Sequence, residues 1–392
     1  MKRILIPTAS ALLFTLNLSA APVAPENLQG RCLFDFAGDF AASSSVFNPV
    51  YSGSYVYVNQ INSRGFGRYD SGWGTPLLLV TPDTEHRMVK PFPGTLGSAY
   101  IVASSSGYSG ATTTTFTRYN LDGTGAVTAP TPSARIAEGF DFVDDFTIIH
   151  TAYDSGFRKN LYLVKVTAEP FALEADTRWN PDGYVTTLVT TRIRNVRVGD
   201  VYKDYAYYGD NGQLTNPKFY ALNLATGAST ELGNAGILSG TGSFGLWTVI
   251  ERGGYLYVHT TDNGVQIYNM NSATSLGSLV TTYTKTDLDT VAGSAQYWGF
   301  DVTSDGSKFI LGGVGKCWEF GAPELKISMD SSYVTLAYPS NLTAVAVQSA
   351  TAINGGFNDV NPQPSVYQDG KTNLAPLLRG TGTEFFRLRR NP

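Results

Sequence analysis

The sequence predicts an all-β chain: a β-propeller of six blades, or seven if a degenerate unit in residues 167–191 counts, followed by a small C-terminal β-sandwich. Three observations carry this. A strand–turn–strand–turn–strand grammar returns at intervals of roughly 45–58 residues. Only 15% of residues are charged while Gly, Thr, Ser and Tyr abound, which favours strands and turns over solvent-facing helices. After Gly321 the spacing tightens to short strands about every ten residues, the rhythm of a sandwich.

The N-terminus reads MKRILIPTASALLFTLNLSAAPVAPE. Lys2 and Arg3 form a charged start, Ile4 to Leu18 a short apolar run, and Ser19, Ala20 and Ala21 a small-residue cleavage site. Pro7 and Asn17 break the run, which is shorter than the about 20 apolar residues a membrane anchor needs. Residues 1–21 are therefore expected to be a signal peptide, and the mature chain to be secreted, periplasmic or at the cell surface. No later segment is apolar enough to span a membrane. The formal net charge is −4, so the electrostatic term that drives nucleic-acid binding is missing.

The only cysteines, Cys32 and Cys317, bracket the repetitive region. Outside the cytoplasm such a pair can form a disulfide. A staple over so long a loop contributes on the order of 4–5 kcal/mol in the chain-entropy model. Two buried thiols are the alternative.

The repeat is clearest in GGYLYVHTTDNGVQIYNMNSATSLG, from Gly253 to Gly277. Five further stretches share its pattern, and the central strands align on Tyr55, Tyr100, Thr147, Tyr205, Tyr255 and Phe309. A period of roughly 40–50 residues with three or four strands is that of a propeller blade. A single unit cannot bury both faces of its sheet; packing units around an axis does, and closing the circle protects the edges. Tyr255-Leu256-Tyr257-Val258 is apolar on both faces, as a sandwiched sheet requires. Asp122-Gly123, Asn211-Gly212, Asn263-Gly264 and Asp305-Gly306 mark tight turns. The run CLFDFAGDF from Cys32 can lend a strand to the last blade, which would place Cys32 beside Cys317. A propeller over residues 22–321 follows, with a stacked pair of β-sandwiches as the competing fold. The region resembles the broad β-propeller class, including secreted blade-repeat proteins, without the Trp-Asp signature of the WD40 family.

Residues 322–392 carry a more specific resemblance. Val334, Leu336, Pro339, Gln348, Ser349, Ala350 and Val360, with Phe385-Phe386-Arg387-Leu388 near the end, follow the pattern of a small C-terminal β-sandwich found on many secreted proteins of environmental Gram-negative bacteria. Tyr338 and Phe357 stand where that module usually has Trp; both keep an aromatic ring. The resemblance implies an immunoglobulin-like appendage without enzymatic activity, serving attachment, stability or sorting.

Candidate chemistry is sparse. His150 in TIIHT and His259 in LYVHT end central strands, at equivalent places in two repeats. No third ligand recurs with them as a zinc site would need, so the expectation is packing, with no metal. Asp141 and Asp301 both follow Gly-Phe, and a carboxylate repeated at one blade position suits a blade-to-blade hydrogen bond more than acid–base catalysis. Glu138, Asp144, Asp145 and Asp305 complete the acidic clusters without a D-x-D-x-D-G calcium loop. Arg192 and Arg194 share a strand face that can meet an anion, with Arg197 close by. Trp73, Trp179 and Trp298 can stack on sugar rings, though most aromatics are expected in blade cores. Gly240 to Gly245 (GTGSFG) matches a dinucleotide fingerprint but precedes β-rich text rather than a helix. No nucleophile elbow, phosphate loop or H-E-x-x-H motif is present.

The expectation is an exported, monomeric, non-catalytic binding or scaffold protein without cofactors, whose propeller face meets an extracellular polysaccharide or a cell-surface protein. The alternative is a carbohydrate-active hydrolase or lyase working at the propeller mouth through Asp141, His150, Arg194, His259 and Asp301.

Overall fold

The computed structural model describes residues 22–35, 48–52, 55–59, 66–70, 77–80, 86–105, 115–131, 139–153, 159–179, 197–210, 217–236, 246–260, 264–293, 297–313, 316–321, 326–329, 332–339, 345–351, 357–369, 372–378 and 385–390. Its larger part is six four-stranded antiparallel sheets, each built in chain order except the last.

Blade one comprises Val50–Ser52, Tyr55–Asn59, Phe66–Asp70 and Leu77–Val80. Blade two comprises His86–Pro91, Tyr100–Ser105, Thr115–Asn120 and Val127–Pro130. Blade three comprises Phe140–Asp144, Thr147–Tyr153, Lys159–Ala168 and Phe171–Ala175. Blade four comprises Arg197–Tyr202, Tyr205–Asp210, Lys218–Asn223 and Ser229–Asn234. Blade five comprises Leu246–Arg252, Tyr255–Thr260, Gly264–Ser272 and Ser275–Tyr283. Blade six takes Tyr297–Val302, Lys308–Gly313 and Lys316–Gly321 from one end of the repeat and its outer strand, Gln29–Asp35, from the other. First strands of neighbouring blades touch one another, and those of blades six and one also touch, so the circle closes with first strands at the axis. The degenerate seventh unit does not stand apart: Thr167 pairs with Ala172 inside blade three, and residues 180–191 lie outside the described residues.

Each interface between blades has its own apolar core. Between blades four and five, for example, Tyr207, Phe219 and Ala221 meet Val249, Leu256 and Val258. Between six and one, Leu33, Ile310 and Cys317 meet Val56, Val58 and Tyr69. Tyrosines dominate the largest buried side chains, and their hydroxyls find partners: Tyr257 donates to the Gly306 carbonyl at 2.8 Å and Tyr283 to that of Val23 at 2.6 Å. These aromatics satisfy both faces of each sheet, which explains why the strand pattern is apolar throughout.

The turn signals act through backbone conformation. Gly264 sits at φ +81°, and a Cβ there would lie 2.0 Å from the Tyr283 carbonyl oxygen, so only glycine fits. Asn211-Gly212 lies outside the described residues. One element departs from the all-β expectation: a helix, Lys285–Ala292, joins blades five and six. Thr284 caps it reciprocally with Asp287, and Leu288 is its buried anchor. Its Val291 packs beside Gly30, where a Cβ would come within 2.7 Å.

The C-terminal residues form two further sheets. Lys326–Met329, Tyr333–Pro339, Thr372–Leu378 and Tyr367–Asp369 make one; Asn358–Asp359, Val345–Ala350 and Phe385–Arg390 make the other. Val334, Leu336, Tyr338 and Ala375 from the first share a core with Val347 and Phe386 from the second. Tyr338 is 2% exposed, so its ring fills the core position.

Candidate binding site at the propeller axis

The first strands lie side by side at the axis, and charged side chains on them meet across blades. Asp141 spans three blades. Its Oδ1 accepts from the Phe142 amide at 2.9 Å and pairs with Lys90 Nζ of blade two at 2.8 Å. Its Oδ2 accepts from the Val201 amide of blade four at 2.8 Å. Asp301, half the ring away, repeats the arrangement: Oδ1 accepts from the Val302 amide at 2.8 Å, and Oδ2 from the Tyr51 amide of blade one at 2.7 Å. Burial holds the Asp301 carboxyl above the ordinary range, against the opposing pull of Arg252, Lys90 and the two amides.

A second network closes the seam. Arg31 on the N-terminal strand pairs with Glu319 directly opposite at 2.7 Å, and Tyr51 donates its hydroxyl to the other Glu319 oxygen at 2.7 Å. Both charges are buried, so each needs the other. Cys32 and Cys317 lie in the same strand pair, opposite Trp318 and Phe34 respectively, on either side of a bulge, and both are thiols in this structure. Burial above all raises the Cys317 thiol well above its usual value, helped by neighbouring Cys32 and Glu319.

The histidines are core residues, and they are not equivalent. His150 turns toward blade two, edge-on to Phe116 at 5.6 Å and stacked on Tyr162 at 5.8 Å. His259 turns the other way, stacked on Phe300 of blade six at 5.3 Å. The difference arises because His150 is the fourth residue of its strand and His259 the fifth of the equivalent one, and successive strand residues face opposite sides. Burial lowers His150 to about 4, so it is neutral at physiological pH. Asp141 and Asp301 are thus brought to one belt, and the two histidines are separated from it in the packing.

Other candidates serve turns or packing. Asp144 accepts from the Phe146 amide, and Asp305 from Thr303 and Ser307. Trp179 donates to the Leu224 carbonyl at 2.9 Å and seats against Gly227. Glu138, Arg192, Arg194 and Trp73 lie outside the described residues; Arg197 and Trp298 are placed in first strands without a described side chain. Among the described residues no group of three or more His, Cys, Asp or Glu is arranged to hold a metal ion, and no helix is long and apolar enough to cross a membrane.

Sequence reasoning missed Lys90, Tyr51 and Glu251. Lys90 and Tyr51 matter through neighbours on other blades, which no local pattern reveals. Glu251 is 5% exposed; its Oε1 accepts from the Gly254 amide at 3.0 Å while its Oε2 is buried without a hydrogen-bond partner. Burial raises its carboxyl, with the Gly254 amide, Arg252 and Lys203 acting against that.

No protein-family model matches the sequence, and no curated protein matches it. Among solved structures the chain is similar to one in a nidogen/laminin complex, at 14% identity and TM-score 0.44, covering 61% of this chain and 80% of that one. It is also similar to a gluconolactonase from Xanthomonas campestris, at 12% identity and TM-score 0.46, covering 75% and 89%. A third is the Pan2 WD40 domain of Neurospora crassa, at 9% identity and TM-score 0.43, covering 76% and 96%. At these identities and TM-scores the likenesses say nothing of what this chain does.

Proposed function

We propose that this chain is an exported, non-catalytic binding or scaffold protein whose propeller face recognises an extracellular ligand, a polysaccharide or a surface protein. The observation that carries the reading is the employment of the acid–base groups. Asp141 and Asp301 spend their oxygens on backbone amides of the next blade, and His150 and His259 are spent on ring packing. A general acid or base must reach a substrate proton; these groups are committed to holding the ring. The leader-like N-terminus supports export, and the resemblance of residues 322–392 to an appendage of secreted proteins supports the same compartment.

The test is retention of the purified mature chain on a panel of polysaccharides and surface-protein extracts, with a parallel assay for new reducing ends. Retention without bond cleavage is expected. New reducing ends that vanish in Asp141→Asn or Asp301→Asn would make the chain a hydrolase or lyase instead.

A further inference from the structure

The first strands of blades three, four and five touch in series, so the two-residue turns that end them follow one another around the ring, and three features there are unexplained by folding. The first is Lys203, in the turn between Tyr202 and Tyr205. Its φ is +54°, and it is the only non-glycine residue with positive φ among the described residues. Blade five makes the corresponding turn with Gly253 at φ +61° and Gly254 at φ +86°. An L-residue in that region carries steric strain that glycine avoids, and such strain persists where a side chain is needed. Lys203 is exposed, and its Nζ lies 4.9 Å over the Tyr202 ring.

The second feature is Glu251, which faces blade four. Lys203 and Arg252 are the cations close enough to act on it, and Arg252 donates to the Glu251 carbonyl at 2.8 Å rather than to its carboxylate. A buried carboxylate oxygen without a donor is costly, and its natural complement is a hydroxyl. The third is Phe146, at the tip of the turn in blade three, with 66% of its surface exposed.

We propose that this arc binds an acidic glycan, one whose sugar units carry both a carboxylate and hydroxyls. Lys203 turns outward to pair with the carboxylate, which uncovers Glu251 Oε2 for an adjacent sugar hydroxyl. Phe146 and Tyr202 offer ring faces on which the sugars stack. An acidic peptide supplies the carboxylate but few hydroxyls, and it would bring its charges toward a buried carboxyl; the glycan satisfies all three features. The inference rests on the binding reading above and names its ligand class.

The test is affinity of the full mature chain for polygalacturonate, compared with its methyl-esterified form, a neutral hexose polymer and polyglutamate. Polygalacturonate should bind at least about tenfold more tightly than the ester, as loss of a charge-assisted contact demands. Lys203→Gly should lose about the same factor while its melting temperature holds or rises, because glycine suits the turn. Phe146→Ala, at an exposed site, should also weaken binding without unfolding. Equal binding of acid and ester, unchanged affinity in Lys203→Gly, or polyglutamate matching polygalacturonate would overturn the proposal. Retention on the neutral polymer alone would overturn it while leaving the broader binding reading intact; retention on nothing, surface proteins included, would remove both.

Discussion

At the scale of single residues, the recurring Gly-Phe-Asp carries the most information. Its repetition is plain in the sequence and suggests a hydrogen bond between blades; which amide receives it depends on ring closure and is invisible locally. Asp301 accepts two amides while burial disfavours its charge. Asp301→Asn keeps an acceptor oxygen without the buried charge, so stability at neutral pH should hold or rise. Asp301→Ala leaves the Tyr51 amide without its acceptor and should cost about 1–3 kcal/mol in urea unfolding. Asn and Ala proving equally costly would sink this account. Asp141→Asn should behave differently, because it strips Lys90 of its counter-ion in a largely buried site. His150 supplies a pH signature. Its folded value of about 4 lies below its unfolded value of about 6.5, so the unfolded chain takes up the extra proton. Its contribution is complete above pH about 6.5 and is lost progressively as pH falls toward about 4, on the order of 3 kcal/mol in all. His150→Phe keeps the ring contacts and should flatten the melting temperature across that window; an unchanged slope would assign the acid sensitivity elsewhere.

At the scale of elements, the strand that closes the ring decides whether six sheets become one body. A closing strand was legible in the run from Cys32; the structure starts it three residues earlier, as Gln29–Asp35, and its pairing with Lys316–Gly321 follows from the open edge that a three-stranded last blade would leave. The Arg31–Glu319–Tyr51 network was not legible, because its members are far apart in the chain and ordinary in type. Arg31→Ala leaves buried Glu319 to the more distant Lys308, at 3.5 Å, and should destabilise by about 3–5 kcal/mol. Arg31→Ala with Glu319→Leu should recover part of that loss; a double variant no better than the single would count against the network. We propose that Cys32 and Cys317, which share this strand pair, join as a disulfide in an oxidising compartment. With oxidised glutathione as acceptor of the two electrons, both thiols lose their protons and the sulfurs join. The expected product is a chain lighter by two hydrogens, unreactive to maleimide when denatured, and less stable once reduced. Two maleimides added to protein kept oxidised would refute the staple. The helix Lys285–Ala292 shows the limit of pattern reading in the other direction: its capping Thr284 and Asp287 are a readable start signal, but eight residues in a Thr-rich run give too little apolar periodicity to outweigh strand propensity.

At the scale of the whole molecule, the number of blades was legible to within one, because the repeat period counts them but left residues 167–191 open as a seventh, and the ligand was not, because nothing in the period records which turns carry exposed groups. Each propeller core is shared by neighbouring blades, so no blade can lose its packing without exposing a neighbour's. Such a ring should unfold in one cooperative step. The C-terminal core is different: its described members all lie between Val334 and Phe386. Two calorimetric transitions are therefore expected. Leu336 is fully buried in that core, so Leu336→Ala should lower its transition by the equivalent of about 2–5 kcal/mol. Leu256 is equally buried between blades four and five, and Leu256→Ala should lower the other transition by a similar amount. Substitutions at sites without shared partners act additively. The double variant should thus show both shifts at full size. If either single substitution moved both transitions together, propeller and sandwich would be one cooperative unit, and the C-terminal residues would belong to the stability of the ring rather than to a separate appendage.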